Sequence, residues 1–228
     1  MTKRERIFDL FKERSCTKQD VFENTTAQFK KFKEVIKQVV DSYQEEVCAL
    51  DERVKVEFES EGEYEARIRF GGDTLIFHMH SNVFSFDESN YIWKTGYVEE
   101  DPLRAYCGVI NIYNFLSDSF RYNRDNDLGY LVSRIFINKE NHFYVEGNKE
   151  LNTLYRDFGE DILDEEKIVD VVESSILYAL NFELYTPPFK KVQLVSVSQM
   201  QQLSNNLKLK TGKRLGFKLN AERKINLK

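Results

Sequence analysis

The spacing of the apolar residues changes near Arg53, and this change constrains the fold more than any other feature of the sequence. Upstream, apolar residues recur every three or four positions and form one stripe along a helix: Phe29, Phe32, Ile36, Val39, Tyr43, Val47 and Leu50. Downstream, apolar and charged residues alternate through 54–59 and again through 63–70, as they do in strands that bury one face. The sequence therefore predicts an α+β protein in which helices cover one face of an antiparallel sheet.

Helices are predicted on both sides of the strand region. Thr25 and Gln28 form a capping-box pattern that marks the start of the first long helix, and Thr2 with Glu5 marks a shorter helix before it. A second strong helix is predicted over 161–184. Its apolar residues spread around more than half of the circumference, which indicates that this helix is largely buried.

The predicted sheet has about six to eight strands. Beyond the first hairpin, the strand candidates are aromatic or β-branched segments: 73–80, 81–86, 91–93, 106–115, 130–138, 142–146 and 192–197. Gly71 and Gly72 indicate a tight turn before the first of these segments, and 139–141 indicates another hairpin. Residues 118–129 are polar and lack a period, so they are predicted to form a surface loop.

Charge is distributed unevenly along the chain, whose formal net charge is −5. Up to Thr186 there are 23 Lys and Arg against 37 Asp and Glu, whereas 187–228 carry ten basic residues against Glu222 alone. We therefore divide the chain into an acidic α+β body, 1–186, and a basic C-terminal segment, 187–228. The basic segment is predicted to contain a strand, a short helix and a hairpin, and to dock on the same domain.

The C-terminal hairpin alternates leucine with cations, so one face is apolar and the other basic. Its candidate polyanion-binding residues are Lys208, Lys210, Lys213, Arg214 and Lys218. They point to nonspecific binding of a nucleic-acid backbone, because the aromatic residue of the hairpin, Phe217, belongs to its apolar face and is not placed for base stacking. The alternative is that this hairpin folds back on the acidic body and neutralises it.

His78 and His80 form the sharpest local motif. Residues two apart in a strand point to the same face, so both imidazoles are placed to bind one divalent metal ion. No third or fourth ligand is evident in the sequence, and a pair of half-exposed histidines on the wetter face of the sheet is the alternative interpretation. A metal at this pair is the one cofactor that the sequence suggests.

Catalytic motifs are missing from the sequence: it has no nucleophile elbow, no catalytic-cysteine signature and no phosphate-binding glycine loop. We therefore expect a noncatalytic interaction or regulatory module that acts through a surface on a protein partner or on a second copy. Tyr91, Trp93 and Tyr97 are the candidate partner-binding anchors, with packing in the core or in a loop as the alternative. A metal-dependent enzyme using the histidine pair, and nucleic-acid binding through the tail, are the other hypotheses.

Cysteine use and hydropathy bear on location. Cys16, Cys48 and Cys107 are odd in number and far apart, which is typical of a reducing compartment. No apolar run approaches the length of a membrane span. The sequence thus predicts a cytoplasmic protein without a membrane partner.

Overall fold

The structure is a computed structural model and describes residues 1–148, 151, 154–183, 186, 188–198 and 200. Six helices occur in these residues: α1 Lys3–Leu10, α2 Cys16–Leu50, α3 Gly96–Glu100, α4 Ser117–Arg121, α5 Glu165–Leu180 and α6 Phe189–Val192. The strands are β1 Val56–Glu61, β2 Glu65–Phe70, β3 Asp73–Met79, β4 Gly108–Leu116, β5 Tyr130–Ile137 and β6 Phe143–Gly147. The fold is therefore α+β, as predicted.

One long helical rod begins the chain, because a π-helical turn, Phe11–Ser15, joins α1 to α2 without a break. The predicted capping box at Thr2 is confirmed: its hydroxyl accepts a hydrogen bond from the Glu5 N–H. The predicted helix start at Thr25 is wrong. Thr25 lies in the helix interior, fully buried, and its hydroxyl donates to the carbonyl of Val21, four residues back.

The six strands form one antiparallel sheet in the order β1-β2-β3-β4-β5-β6, so each strand pairs with its neighbours in sequence. The first turns depend on Gly62 and Gly71, whose φ angles of 63° and 52° lie in the left-handed region that glycine tolerates. A β-bulge shifts the β4–β5 register between Ile112 and Tyr113. The predicted hairpin between β5 and β6 is present.

The main core lies between α2, α5 and one face of the sheet, which we call the inner face. Phe29, Phe32 and Ile36 of α2 are fully buried against inner-face residues such as Phe77 and Ile110. The apolar stripe of α2 is buried only in part, since Tyr43 and Leu50 near the C-terminal end of the helix are exposed.

Two side-chain hydrogen bonds tie α2 to the β5–β6 turn. Asn24 donates to the carbonyl of Asn138 at 2.7 Å, and the Gln28 amide donates to Asn141 Oδ1 at 2.6 Å. Gln28, predicted to cap the helix, therefore links α2 to the sheet instead.

The opposite face of the sheet, which we call the outer face, is partly covered by residues 81–105, the cover segment. A second, smaller core forms there from Ile92 and Val98 of the cover segment and from Phe136 and Tyr144 of the sheet. The predicted strands 81–86 and 91–93 are wrong. The first contributes only an isolated bridge from Phe84 to Cys107, and 91–94 form a 3₁₀ turn.

The C-terminal predictions are corrected where the structure describes them. Helix α5 begins at Glu165 with Asp164 as its N-cap, and Leu177 and Leu180 are exposed, so this helix is half-buried rather than largely buried. Residues 189–192 are helical, and 193–197 contain no strand, against the strand predicted over 192–197. The predicted basic hairpin lies outside the described residues, which leaves the boundary between body and tail as a prediction.

Candidate functional site

A row of polar side chains crosses the outer face from edge to edge. The strand register places six such residues directly beside one another, one per strand from β1 to β6: Glu61, Glu65, His78, Asn111, Arg134 and Glu146. Neighbouring strands bring directly opposed side chains within about 4.5–5.5 Å at Cβ, so each member lies beside the next. We call this set the cross-strand polar row.

A cleft of about 340 Å³ lies over the β4–β6 end of this row. Its base is formed by Asn111, Arg134, Phe136 and Tyr144, together with Val109 and Glu146 of the same strands. Its wall is formed by residues 84–87 and Asn90 of the cover segment, and His80 lies at its β3 end. Cavities that hold small organic ligands begin at about 300 Å³, so this cleft is large enough for one.

Stacked aromatic rings make one side of the cleft rigid and apolar. Phe136 and Tyr144 stack with ring centroids 4.8 Å apart and an interplanar angle of 12°. Phe86 packs on both rings, at 5.1 and 5.6 Å. Burial raises the pKa of the Tyr144 phenol, which therefore stays neutral at physiological pH. Phe136 and Tyr144 are each only 6% exposed, so this side gives the cleft a narrow apolar surface.

The polar side of the cleft is formed by Asn111 and Arg134. Asn111 is only 8% exposed, yet its side-chain amide forms no hydrogen bond with any residue that the structure describes. Arg134 Nε donates to Glu146 Oε2 at 2.7 Å, and its guanidinium lies 5.3 Å from the Phe136 ring centroid. The Arg134 side chain is 42% exposed, so part of its hydrogen-bonding capacity remains accessible from the cleft.

The cover segment is held in place by the aromatic residues that the sequence suggested as partner anchors. The Trp93 indole donates to the carbonyl of Asp87 at 3.0 Å, and the Tyr91 hydroxyl donates to the carbonyl of Arg156 at 3.0 Å. Tyr97 stacks on His142 with centroids 4.2 Å apart. These three side chains make internal contacts in the described structure, and their role as anchors for a partner stays a prediction.

His78 and His80 lie on the outer face, on either side of the buried Met79. His78 is flanked by Glu65 and Asn111 in the row. His80 Nδ1 accepts a hydrogen bond from Asn82 N at 3.0 Å, and the ring packs edge-on against Phe84. No group of three or more His, Cys, Asp or Glu among the described residues is arranged to hold a metal ion. A metal at the histidine pair stays a prediction.

The other site residues divide into those outside the described chain and those that sequence reasoning missed. Lys208, Lys210, Lys213, Arg214 and Lys218 all fall outside the described residues. The missed residues are Asn111, Arg134 and Glu146. Each is a polar residue at an outward position of an otherwise apolar strand, and this interruption is the signal that would have identified it.

Comparisons with known proteins place this chain in no family: no family model matches it, and no curated protein or solved structure is similar enough to count as a match. Among the described residues, no helix has both the length and the apolar character needed to cross a membrane.

Proposed function

We propose that this protein is a noncatalytic binding module that holds a small, partly planar ligand in the cleft on its outer face. The observation that carries the proposal is Asn111. Its side-chain amide lines the cleft and forms no hydrogen bond with a described residue, and it is not among the buried polar atoms that lack a partner. The amide is therefore open to the cleft, where it can both donate to and accept from a ligand.

The chemistry of the lining favours a ligand with an aromatic part and an anionic group. The apolar side lined by Phe136, Tyr144 and Phe86 suits the edge of an aromatic group. The Arg134 guanidinium is half-exposed; Glu146 pairs with its Nε and Nη2, and its remaining N–H groups suit a carboxylate or sulfonate. Asn111 opposes Arg134 across β4 and β5, so one ligand group can reach both side chains.

A noncatalytic role is favoured because the cleft contains no nucleophile with an activating base beside it. Two residues that line the described cleft carry a hydroxyl, Ser85 and the buried Tyr144, and of these Ser85 is the candidate nucleophile. No hydrogen bond joins Ser85 to another residue that the structure describes, and the one histidine of the lining, His80, has Nδ1 occupied by the Asn82 N–H. Binding is therefore the activity that this arrangement of side chains supports best.

Anilinonaphthalene sulfonate is a suitable probe, because it joins an aromatic system to a sulfonate. We expect saturable fluorescence enhancement with the full chain, and a shift of the Asn111 side-chain amide signals in a nitrogen–proton correlation spectrum. Arg134→Gln should weaken binding about tenfold or more, since a hydrogen bond to a charged group is worth about 1.5–3 kcal/mol.

Arg69→Gln is the matched control. Arg69 lies on the same face and pairs with Glu57 and Glu59, but it does not line the cleft. This variant should bind the probe like the unmodified protein. Equal weakening by both substitutions, or an unmoved Asn111 signal at saturating probe, would place the probe elsewhere and refute the proposed site.

A further inference from the structure

The first helical turns carry a surface that the proposed cleft does not use. No residue of α1 or of the π-helical turn is buried, and the first buried residue of the rod is Thr17. At 1.5 Å per residue, residues 3–16 extend for about 20 Å. We call residues 1–16 the amphipathic segment, for the reasons that follow.

The apolar residues of this segment lie together and are exposed to solvent. Phe8 is 70% exposed, Phe11 60% and Ile7 54%. Ile7 and Phe11 are one helical turn apart, and Phe8 adjoins both, so the three form one patch that Leu10 borders. Three large apolar side chains grouped in this way indicate a surface that is covered by something else when the protein functions.

The charges on the segment are sorted around this patch. Glu5, Asp9 and Glu13 recur every four residues, so they form a ridge on the side of the helix away from the patch. Four of the five basic residues lie on the patch or beside it, whereas Arg6 lies on the side of the acidic ridge; the four are Lys3, Arg4, Lys12 and Arg14. The long Lys and Arg side chains can bury their methylene groups with the patch and extend their charges past it.

We propose that the amphipathic segment binds an anionic lipid surface, with its axis parallel to the membrane plane. The apolar patch enters the boundary between headgroups and acyl chains, the four cations meet lipid phosphates and carboxylates, and the acidic ridge faces water. Among the described residues no helix could cross a membrane, in line with the prediction of no membrane partner, and the proposal concerns a helix that lies on the surface instead. That prediction rested on the absence of a spanning run, which a helix lying on the surface does not need.

A second copy of the chain is the competing occupant, and the charges disfavour it. A second copy packed on the patch would bring the bordering cations of both copies to one seam, while Glu5, Asp9 and Glu13 would lie on the far side of each helix. Like charges so placed destabilise a helix pair. In a parallel pair each charged residue lies beside the same residue of the other copy, so these pairs repel. A lipid surface imposes neither conflict, because its charges are all negative and mobile.

Vesicle sedimentation with the full chain tests the proposal. We expect binding to vesicles of phosphatidylcholine with about one third phosphatidylserine, little binding to phosphatidylcholine alone, and weakening at high salt. The double substitution Phe8→Ser, Phe11→Ser should abolish sedimentation while thermal unfolding stays unchanged, since neither ring is buried. Because this variant keeps the basic tail, its loss of binding assigns the effect to the amphipathic segment.

Charge variants provide the matched comparison. Lys3→Gln with Lys12→Gln should weaken binding to the anionic vesicles about 25-fold, at about fivefold per cation removed. Asp9→Asn with Glu13→Gln should bind as well as or better than the unmodified protein. Equal binding to neutral vesicles, no binding to either kind, or dimers that the phenylalanine substitutions dissociate would each overturn the lipid proposal.

Discussion

The contact between α2 and the start of β4 yields a sharp test of the packing. Gly108 is the first residue of β4, and its missing side chain leaves room for Thr25 of α2. A Cβ added at Gly108 would lie 2.6 Å from Thr25 Cγ2 and 2.7 Å from Thr25 Cβ. Carbon atoms prefer separations of about 3.5–4.0 Å, so Gly108→Ala requires the helix and the sheet to part by close to 1 Å.

The expected cost of Gly108→Ala is about 2 kcal/mol. Overpacking of this kind costs about 1–3 kcal/mol, and the loss of glycine flexibility in the unfolded chain returns about 0.4–1 kcal/mol. For a domain of this size, a loss of that magnitude lowers Tm by about 4–8 °C. Urea unfolding followed by circular dichroism measures the change in the free energy of unfolding directly.

Two further variants make this prediction specific. Thr25→Ala removes the hydroxyl and the Cγ2 methyl but leaves Cβ in place, so Gly108→Ala should cost about 1 kcal/mol less in that background. Gly72→Ala is the control, because no atom lies within 4 Å of its added Cβ, and it should change stability by no more than about 0.5 kcal/mol. Strict additivity of the substitutions at Gly108 and Thr25, or a fully stable Gly108→Ala protein, would refute the reasoning.

Two predictions concern the cover segment. Tyr97→Phe should lower the free energy of unfolding by about 1–3 kcal/mol, because the buried Asn138 amide donates to the Tyr97 hydroxyl at 2.9 Å. Urea unfolding curves of the variant and the unmodified protein that superimpose would contradict this prediction. Asp101→Asn should cost about 0.5 kcal/mol at neutral pH, because Asn still accepts from Leu103 N–H but loses the charge that pairs with Lys139. Partial burial raises the pKa of Asp101, but hydrogen bonds from Leu103 N–H and Lys139 outweigh it and hold the pKa below its ordinary value. A carboxylate with a lowered pKa stabilises the fold above its unfolded pKa of about 3.9 and loses this effect as the pH falls through its folded pKa. The stability difference between the two proteins should therefore shrink as the pH falls below about 3.9 and vanish below the folded pKa. A difference that persists there would argue against the carboxylate.

The antiparallel strands were predictable because the residue pattern of each strand identifies that strand without reference to the others. In β2, Ala66, Ile68 and Phe70 alternate with charged residues, and the glycine turns on either side fix where the strand ends. Such signals are local, so they survive without knowledge of the tertiary structure. The same argument explains why the α+β class and the β5–β6 hairpin were correct.

The cover segment was mispredicted because residues far from it in the sequence determine its structure. Tyr91 and Trp93 favour strands by intrinsic propensity, yet Asn90 caps a 3₁₀ turn there. The second core that holds this turn includes Phe136 and Tyr144, more than 40 residues away along the chain. The polar row was missed for a related reason, since it exists only once the register of all six strands is known.

The hydrogen bonds from α2 to the β5–β6 turn also affect when the chain can fold during its synthesis. Asn24 and its acceptor in Asn138 are 114 residues apart in sequence. At translation rates of about 5–20 residues per second, the turn is synthesised about 6–20 s after the helix. During that interval Phe29, Phe32 and Ile36 lack much of the sheet that buries them. Nascent chains that end within this window should therefore be the form of the protein that chaperones bind most strongly.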